Sequence, residues 1–174
     1  SERLVSLDAF RGLTIAGMIL VNNPGSWSHI YAPLRHAEWH GWTPTDLIFP
    51  YFLFIVGVAL PFSFRRRLEE GAARADLMKH VARRSLILIG IGIAMRAIPA
   101  FDFATMRYYG VLQRIGLVYF VAAAAYVFLQ PKARWSLAAV LLLGYWALMM
   151  LVPVPGYGAG DLSADGNLAA WIDR

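Results

Sequence analysis

The chain contains no cysteine. That absence excludes a disulfide framework, a thiolate metal centre and a cysteine nucleophile, and it leaves the redox compartment open. Charge is scarce as well: 16% of the 174 residues are Asp, Glu, Lys or Arg, whereas 59% are apolar and mean hydropathy is +0.52. Soluble domains are apolar over roughly half of their residues and charged over about a quarter, so this composition belongs in a bilayer. No cleavable leader pattern is expected, because the first apolar run carries Asp8 and Arg11 and ends in NNPG rather than at a small-residue cleavage site. The net charge of +5 raises the question of nucleic acid. The basic residues, however, concentrate between apolar runs, as membrane topology demands, and no base-stacking motif accompanies them. No nucleic-acid partner is expected.

What is present is a series of apolar runs. Crossing the hydrocarbon core takes about 20 helical residues, and five stretches approach that length, at about 6–22, 45–64, 82–99, 111–130 and 134–152. The expected fold is therefore all-α, a polytopic integral membrane helical bundle with about five transmembrane helices in this chain. The third stretch is short unless 81–84 continue its helix into the interface. Gly90, Gly92, Ala94, Gly116 and Ala122 to Ala125 allow helices to approach closely. Pro50 and Pro61 in the second stretch free backbone carbonyls, and two readings stay open there: a packing kink, or a broken helix bordering a ligand cavity. Residues 153–174, rich in Gly, Pro and Asp, read as an ordered outer loop leading into further helices.

Lys and Arg set the expected orientation. Arg65, Arg66, Arg67, Arg74, Lys79, Arg83 and Arg84 lie between the second and third stretches, and Lys132 and Arg134 between the fourth and fifth. The remaining connections and the tail carry one each, Arg35, Arg107 and Arg174. The positive-inside rule places the basic segments and the N-terminus in the cytoplasm, which turns His36 outward. Trp27, Tyr31, Trp39, Trp42, Tyr51, Tyr108 and Tyr109 then gather at the outer boundary, where amphipathic rings prefer to sit. A bacterial inner membrane suits this arrangement, with the bilayer as the first partner and a second copy of the chain as another candidate.

The stretch HAEWHGWTPTDLIFPYFLFIVG, from His36 to Gly57, feeds a polar, aromatic loop directly into an apolar run. Asp46 enters that run at its start, where a carboxylate needs a partner, and TPTD also suits it to cap the helix. Asn22, His36, Asp46, Arg96, Gln113 and Arg114 fall at one outer depth, which suggests a shared water-filled cavity. Asp8 and Arg11 form an inner layer and are spaced to pair on one helix face. Arg114 calls for a carboxylate, either Asp46 or Asp102. His36 reads either as a catalytic base or as a donor to a loop carbonyl. His36 and His40 are spaced i, i+4, as a metal pair on a helix would be, but Pro33, Gly41 and Pro44 argue for irregular backbone, and no metal is expected. His29 reads as a surface residue and His80 as a headgroup contact. Arg65 to Arg67 read as topology determinants on anionic lipid or as ligands for a phosphorylated cofactor.

The segments RLVSLDAFRGLTIAGMILVNNPG, HAEWHGWTPTDLIFPYFLFIVG, GVLQRIGLVYF, LVPVPG and AAWIDR, in this order, resemble the heparan-alpha-glucosaminide N-acetyltransferase family and its bacterial relatives. The likeness covers nearly the whole chain; the central block is specific, whereas SLDAFRG is shared more widely among membrane acyltransferases. The resemblance implies a larger bundle of about ten or eleven spans, of which this chain supplies the first five. It implies transfer of acetyl from cytoplasmic acetyl-CoA to the amino group of an extracytoplasmic, glucosamine-type amino sugar. By motif it places the catalytic histidine at His36 and its partner asparagine at Asn22, the latter either donating to an oxyanion or fixing the histidine tautomer. Asp46, Trp39, Gln113 and Arg114 become candidate acceptor contacts, and Arg11, Arg65, Arg66 and Arg84 candidate contacts for CoA phosphates, as bidentate donors to anions. Direct transfer and an acetyl-histidine intermediate both remain open. An amino-sugar permease and a non-catalytic membrane scaffold are the alternative functions.

Overall fold

A computed structural model describes residues 4–98 and 110–173, and every described regular element is helical. Asp102, Arg107, Tyr108, Tyr109 and Arg174 lie outside the described residues. The helices are α1 (Val5–Asn22), α2 (Ile48–Glu69), α3 (Arg74–Ala97), α4 (Val111–Phe128), α5 (Pro131–Leu151) and α6 (Leu168–Asp173). Among them, α1, α2 with the turn before it, α4 and α5 are long and apolar enough to cross a membrane. The chain divides into two compact units, Ser1–Glu70 and Gly71–Arg174.

In the first unit, α1 and α2 meet through aromatic rings. Phe10 sits edge-on to Tyr51 at 5.1 Å and to Phe54 at 6.4 Å, an arrangement that ring quadrupoles favour over face-to-face stacking. Ile55, Leu60 and Phe64 form the buried side of α2. Pro50 occupies the first turn of α2, where a missing N–H costs nothing, and Pro61 lies inside the helix, which nevertheless continues for 22 residues. The helix outlasts its apolar stretch because Arg65–Glu69 and Arg66–Glu70 pair at i, i+4, each at 2.7 Å.

In the second unit the third helix begins eight residues before the expected stretch at 82–99. Arg74, Lys79, His80, Arg83 and Arg84 are helical, on the first half of α3, and the connection from α2 is a tight turn through Gly71 at φ +84°. Asp76 in the first turn of α3 faces the positive end of its dipole, and Leu77, Val81 and Ser85 repeat every four residues on one buried stripe. That stripe packs against α4, whose buried positions are Gly116, Ala123 and Val127. A Cβ on Gly116 would stand 3.0 Å from the Ser85 carbonyl oxygen and 3.0 Å from Ile89, so the two backbones approach at a distance that only glycine permits.

Arg134 fastens the turn into α5. Its guanidinium lies 4.4 Å from the Tyr126 ring centroid, and its Nε donates to the Leu129 carbonyl at 2.9 Å, beside the negative end of α4. No residue of α5 is buried, although Leu141, Leu142, Leu143, Tyr145, Trp146 and Leu151 are large and apolar. A helix that is apolar all round is stable only in hydrocarbon or against other helices.

The segment after α5 is ordered and includes one helix that the composition did not suggest. Val154 and Gly158 form an antiparallel bridge, with Gly156 and Gly158 at positive φ. The Ser163 N–H donates to Asp161 at 2.8 Å, and Ser163 holds the Asp161 carboxyl below the usual carboxylate range. Buried Asn167 accepts from the Ala170 N–H at 2.8 Å and so starts α6.

Gly116→Val should overpack the α3–α4 contact and cost about 1–3 kcal/mol. Gly90→Ala, whose new Cβ meets nothing within 4 Å, should leave stability unchanged or raised. Thermal unfolding in detergent, followed by circular dichroism, checks both; equal midpoints for the two variants would contradict the close approach.

Candidate functional site

The loop that joins α1 to α2 is built from two short 3-10 turns, Ala32–Leu34 and Pro44–Leu47. Proline at the start of each presets φ and removes an N–H that would otherwise lack an acceptor. The turns are tied together by Thr45, almost fully buried, whose hydroxyl donates to the Pro33 carbonyl at 3.3 Å. Between them the chain reverses through Gly41 at φ +104°, a backbone region that an L side chain rarely adopts.

Asp46 draws the two arms together. Its Oδ1 lies 2.5 Å from His36 Nδ1. Its Oδ2 accepts the Ala37 N–H at 3.1 Å, the Thr43 N–H at 2.8 Å and the Thr43 hydroxyl at 3.0 Å. Thr43 and Asp46 also form a capping box around the second turn. A carboxylate offers about four lone-pair sites, and the chain itself occupies them. The Asp46 carboxylate takes these four partners from its own loop; Asp102, the other carboxylate considered for Arg114, lies outside the described residues.

The consequence for His36 is a fixed ring. An ionised carboxylate only accepts, so the proton between the pair belongs to Nδ1, and whenever the ring is neutral the lone pair falls on Nε2. The His36 side chain is 72% exposed while that of Asp46 is 28% exposed, so the carboxylate lies behind an imidazole presented outward. A histidine backed by a carboxylate at one nitrogen is equipped to take a proton, or an acyl group, at the other.

The remaining residues expected at the site are placed as follows. Asn22, at the last residue of α1, donates Nδ2 to the Met18 carbonyl at 2.9 Å, and among the described residues no hydrogen bond joins it to His36. Trp39 is half exposed, and Trp42 more so. Residues His36 to His40 are not helical, so the i, i+4 metal geometry is absent, and His29 is exposed beside Ser28 at 2.9 Å. Arg11 pairs with Asp8 at 3.2 Å. In the second unit, Gln113 lies in the first turn of α4 with its Oε1 against Gly92 and Gly110, and its buried Nε2 has no hydrogen-bond partner among the described residues. Arg114 follows it and is exposed, Arg96 is exposed in the last turn of α3, and Arg84 stacks over Tyr119 at 5.6 Å.

Thr43, Thr45 and the Ala37 amide are parts of the site that sequence reading passed over. TPTD carries a visible capping signal. A bond from residue 46 to a ring ten residues earlier has none, because it depends on how the loop folds back.

Asp46→Ala should release both arms of this loop. Hydrogen exchange by mass spectrometry on the intact chain should show peptides that contain the Ala37 and Thr43 amides exchanging at least about tenfold faster, as expected when a bond worth about 1.5–3 kcal/mol is lost. Unchanged protection would contradict the network.

The sequence model described as "Heparan-alpha-glucosaminide N-acetyltransferase, catalytic" matches residues 3–162. Among curated relatives, heparan-alpha-glucosaminide N-acetyltransferase from Homo sapiens is 34% identical, over 99% of this chain and 31% of its own length. The Mus musculus protein of the same name is 31% identical, over 100% of this chain and 32% of its own length. The chain thus spans about a third of the length of these relatives. With the family's matched region running from the start of α1 past α5 and including the His36–Asp46 loop, the chain belongs to the heparan-alpha-glucosaminide N-acetyltransferase catalytic family.

Proposed function

We propose that this chain carries the acceptor-side chemistry of a membrane acetyltransferase, which moves acetyl from cytoplasmic acetyl-CoA to the amino group of an extracytoplasmic amino sugar. The observation that carries the reading is the His36–Asp46 pair. It combines a ring fixed at Nδ1, no described partner at Nε2 and high exposure in a chain of this family.

An amine attacks a thioester only as the free base. Nε2 of His36 takes the proton from the incoming ammonium or from the adduct, and the Nδ1–H bond to Asp46 stabilises the imidazolium that results. In direct transfer the amine nitrogen bonds to the acetyl carbon, the carbon–sulfur bond breaks and the thiolate leaves with a proton, giving amide and free CoA. In the two-step route Nε2 bonds to the acetyl carbon first, the carbon–sulfur bond breaks and CoA leaves as the thiolate, which takes up a proton from solvent. The amine then displaces the imidazole. Both routes need Nε2 free and Nδ1 held, and the loop supports that requirement.

Asn22 has a second amide hydrogen beyond the one on Met18, which suits it to the developing oxyanion; one such donor is worth about 2.7–4 kcal/mol of barrier. Asp46, Trp39, Gln113 and Arg114 are retained as acceptor contacts. Arg11, Arg65, Arg66 and Arg84 are retained as contacts for CoA phosphates. The carboxylate pairs of Arg65 and Arg66 are largely exposed and that of Arg11 partly so; ion pairs in contact with water are weak, so phosphate can displace them. The N-terminus in the cytoplasm and His36 outside complete the proposal, with lysine and arginine placement as its support.

His36→Ala should abolish acetyl transfer from radiolabelled acetyl-CoA to glucosamine, a loss of at least about 100-fold, while the protein still inserts and folds. Retained activity would overturn the assignment. Sugar uptake into vesicles without any acetylated product would favour a permease instead.

A further inference from the structure

Thr43 caps the turn that carries Asp46, and its single hydroxyl touches both sides of the clamp. Oγ1 is 2.7 Å from the Arg35 carbonyl oxygen, on the residue before His36, and 3.0 Å from Asp46 Oδ2, on the carboxylate behind His36. One hydroxyl proton serves two acceptors. The residue also donates its backbone N–H to the same carboxylate oxygen at 2.8 Å. From this geometry we infer that Thr43 is a positioning residue for His36: its hydroxyl locks the carboxylate and the backbone entering His36 into one arrangement, so that the ring has a single orientation. The inference rests on the acetyl-transfer reading above.

The physical case is one of reach. Asp46 hangs from a turn whose N-cap is Thr43, and His36 belongs to the opposite arm of the loop. The Thr45 hydroxyl ties the arms together at Pro33, three residues before His36. Thr43 is the hydroxyl that joins them at Arg35, immediately before it. Without that bond, the carboxylate keeps its hold on the Ala37 amide and the ring, but the backbone entering His36 at Arg35 loses its tie to the Asp46 turn. A misplacement of about 1 Å at a reacting group costs up to about 100-fold in rate. Because Thr43 acts through Asp46 and the backbone, the loss should appear in turnover rather than in binding.

Thr43→Val keeps the branched shape and the backbone N–H and removes only the hydroxyl. In the intact chain it should lower kcat for acetyl transfer by about 10- to 100-fold and leave KM for donor and acceptor within about twofold, and Thr43→Ser should restore most of kcat. A second measurement is independent of acetyl transfer: carbethoxylation by diethyl pyrocarbonate, mapped by mass spectrometry. With Nδ1 tied to Asp46, His36 should accept one carbethoxy group; in Thr43→Val the doubly modified ring should rise at least about twofold, and Thr43→Ser should bring it back. If Thr43→Val does not elute as the native protein does, Thr43→Ala carries the same comparison. Native kcat with native carbethoxylation in the hydroxyl-free variant overturns the inference, as does a rise in KM alone or failure of serine to rescue. If the native chain transfers no acetyl at all, the acetyl-transfer reading fails, and the carbethoxylation comparison alone decides the role of Thr43.

Discussion

The fold around the candidate site depends on the carboxylate of Asp46. It collects a ring nitrogen, two backbone amides and a hydroxyl from segments ten residues apart in sequence. Hydrogen bonds to a charged acceptor are stronger than neutral ones, at roughly 1.5–3 kcal/mol each. An exposed loop whose Trp27, Tyr31, Trp39 and Trp42 bury little of their apolar surface has few other sources of order. The bonds that shape the loop also turn the imidazole outward, so the architecture of the loop and the presentation of His36 have one cause.

The helices supply the platform. The edge-on contacts of Phe10 with Tyr51 and Phe54 hold α1 against α2, and the carboxylate-bearing turn runs directly into α2. The second unit uses a different solution, glycine-mediated approach of α3 to α4 at Gly116, as suits helices that gain nothing by hiding leucine from lipid. The unburied apolar surface of α5 fits a helix long and apolar enough to cross a membrane.

Much of this was legible in sequence. The spans at 111–130 and 134–152 are bounded by Pro131, which opens α5, and by the loss of apolar character at each end, and the structure places α4 and α5 close to those limits. The start of α3 was not legible from hydropathy, because Arg74 and Lys79 lie ahead of the apolar stretch at 82–99. The four-residue repeat of Leu77, Val81 and Ser85 was the signal that a helix runs through them. The short α6 escaped because its start depends on a side-chain cap from buried Asn167 rather than on periodicity. At the site, His36 and Asp46 were both singled out, one by motif and one by the cost of a carboxylate at a membrane boundary. Their pairing was not, because turn geometry at Gly41 and Thr43 creates it, and spacing carries no trace of that geometry.

The central claim is that Asp46 holds His36 by Nδ1 and leaves Nε2 for chemistry. Long-range proton–nitrogen correlation spectra of the His36 ring, recorded on the intact chain in detergent at a pH where the ring is neutral, test it most directly. The account predicts a ring protonated at Nδ1, with that preference lost in Asp46→Ala. A native ring protonated at Nε2, or a spectrum indifferent to Asp46, would contradict it.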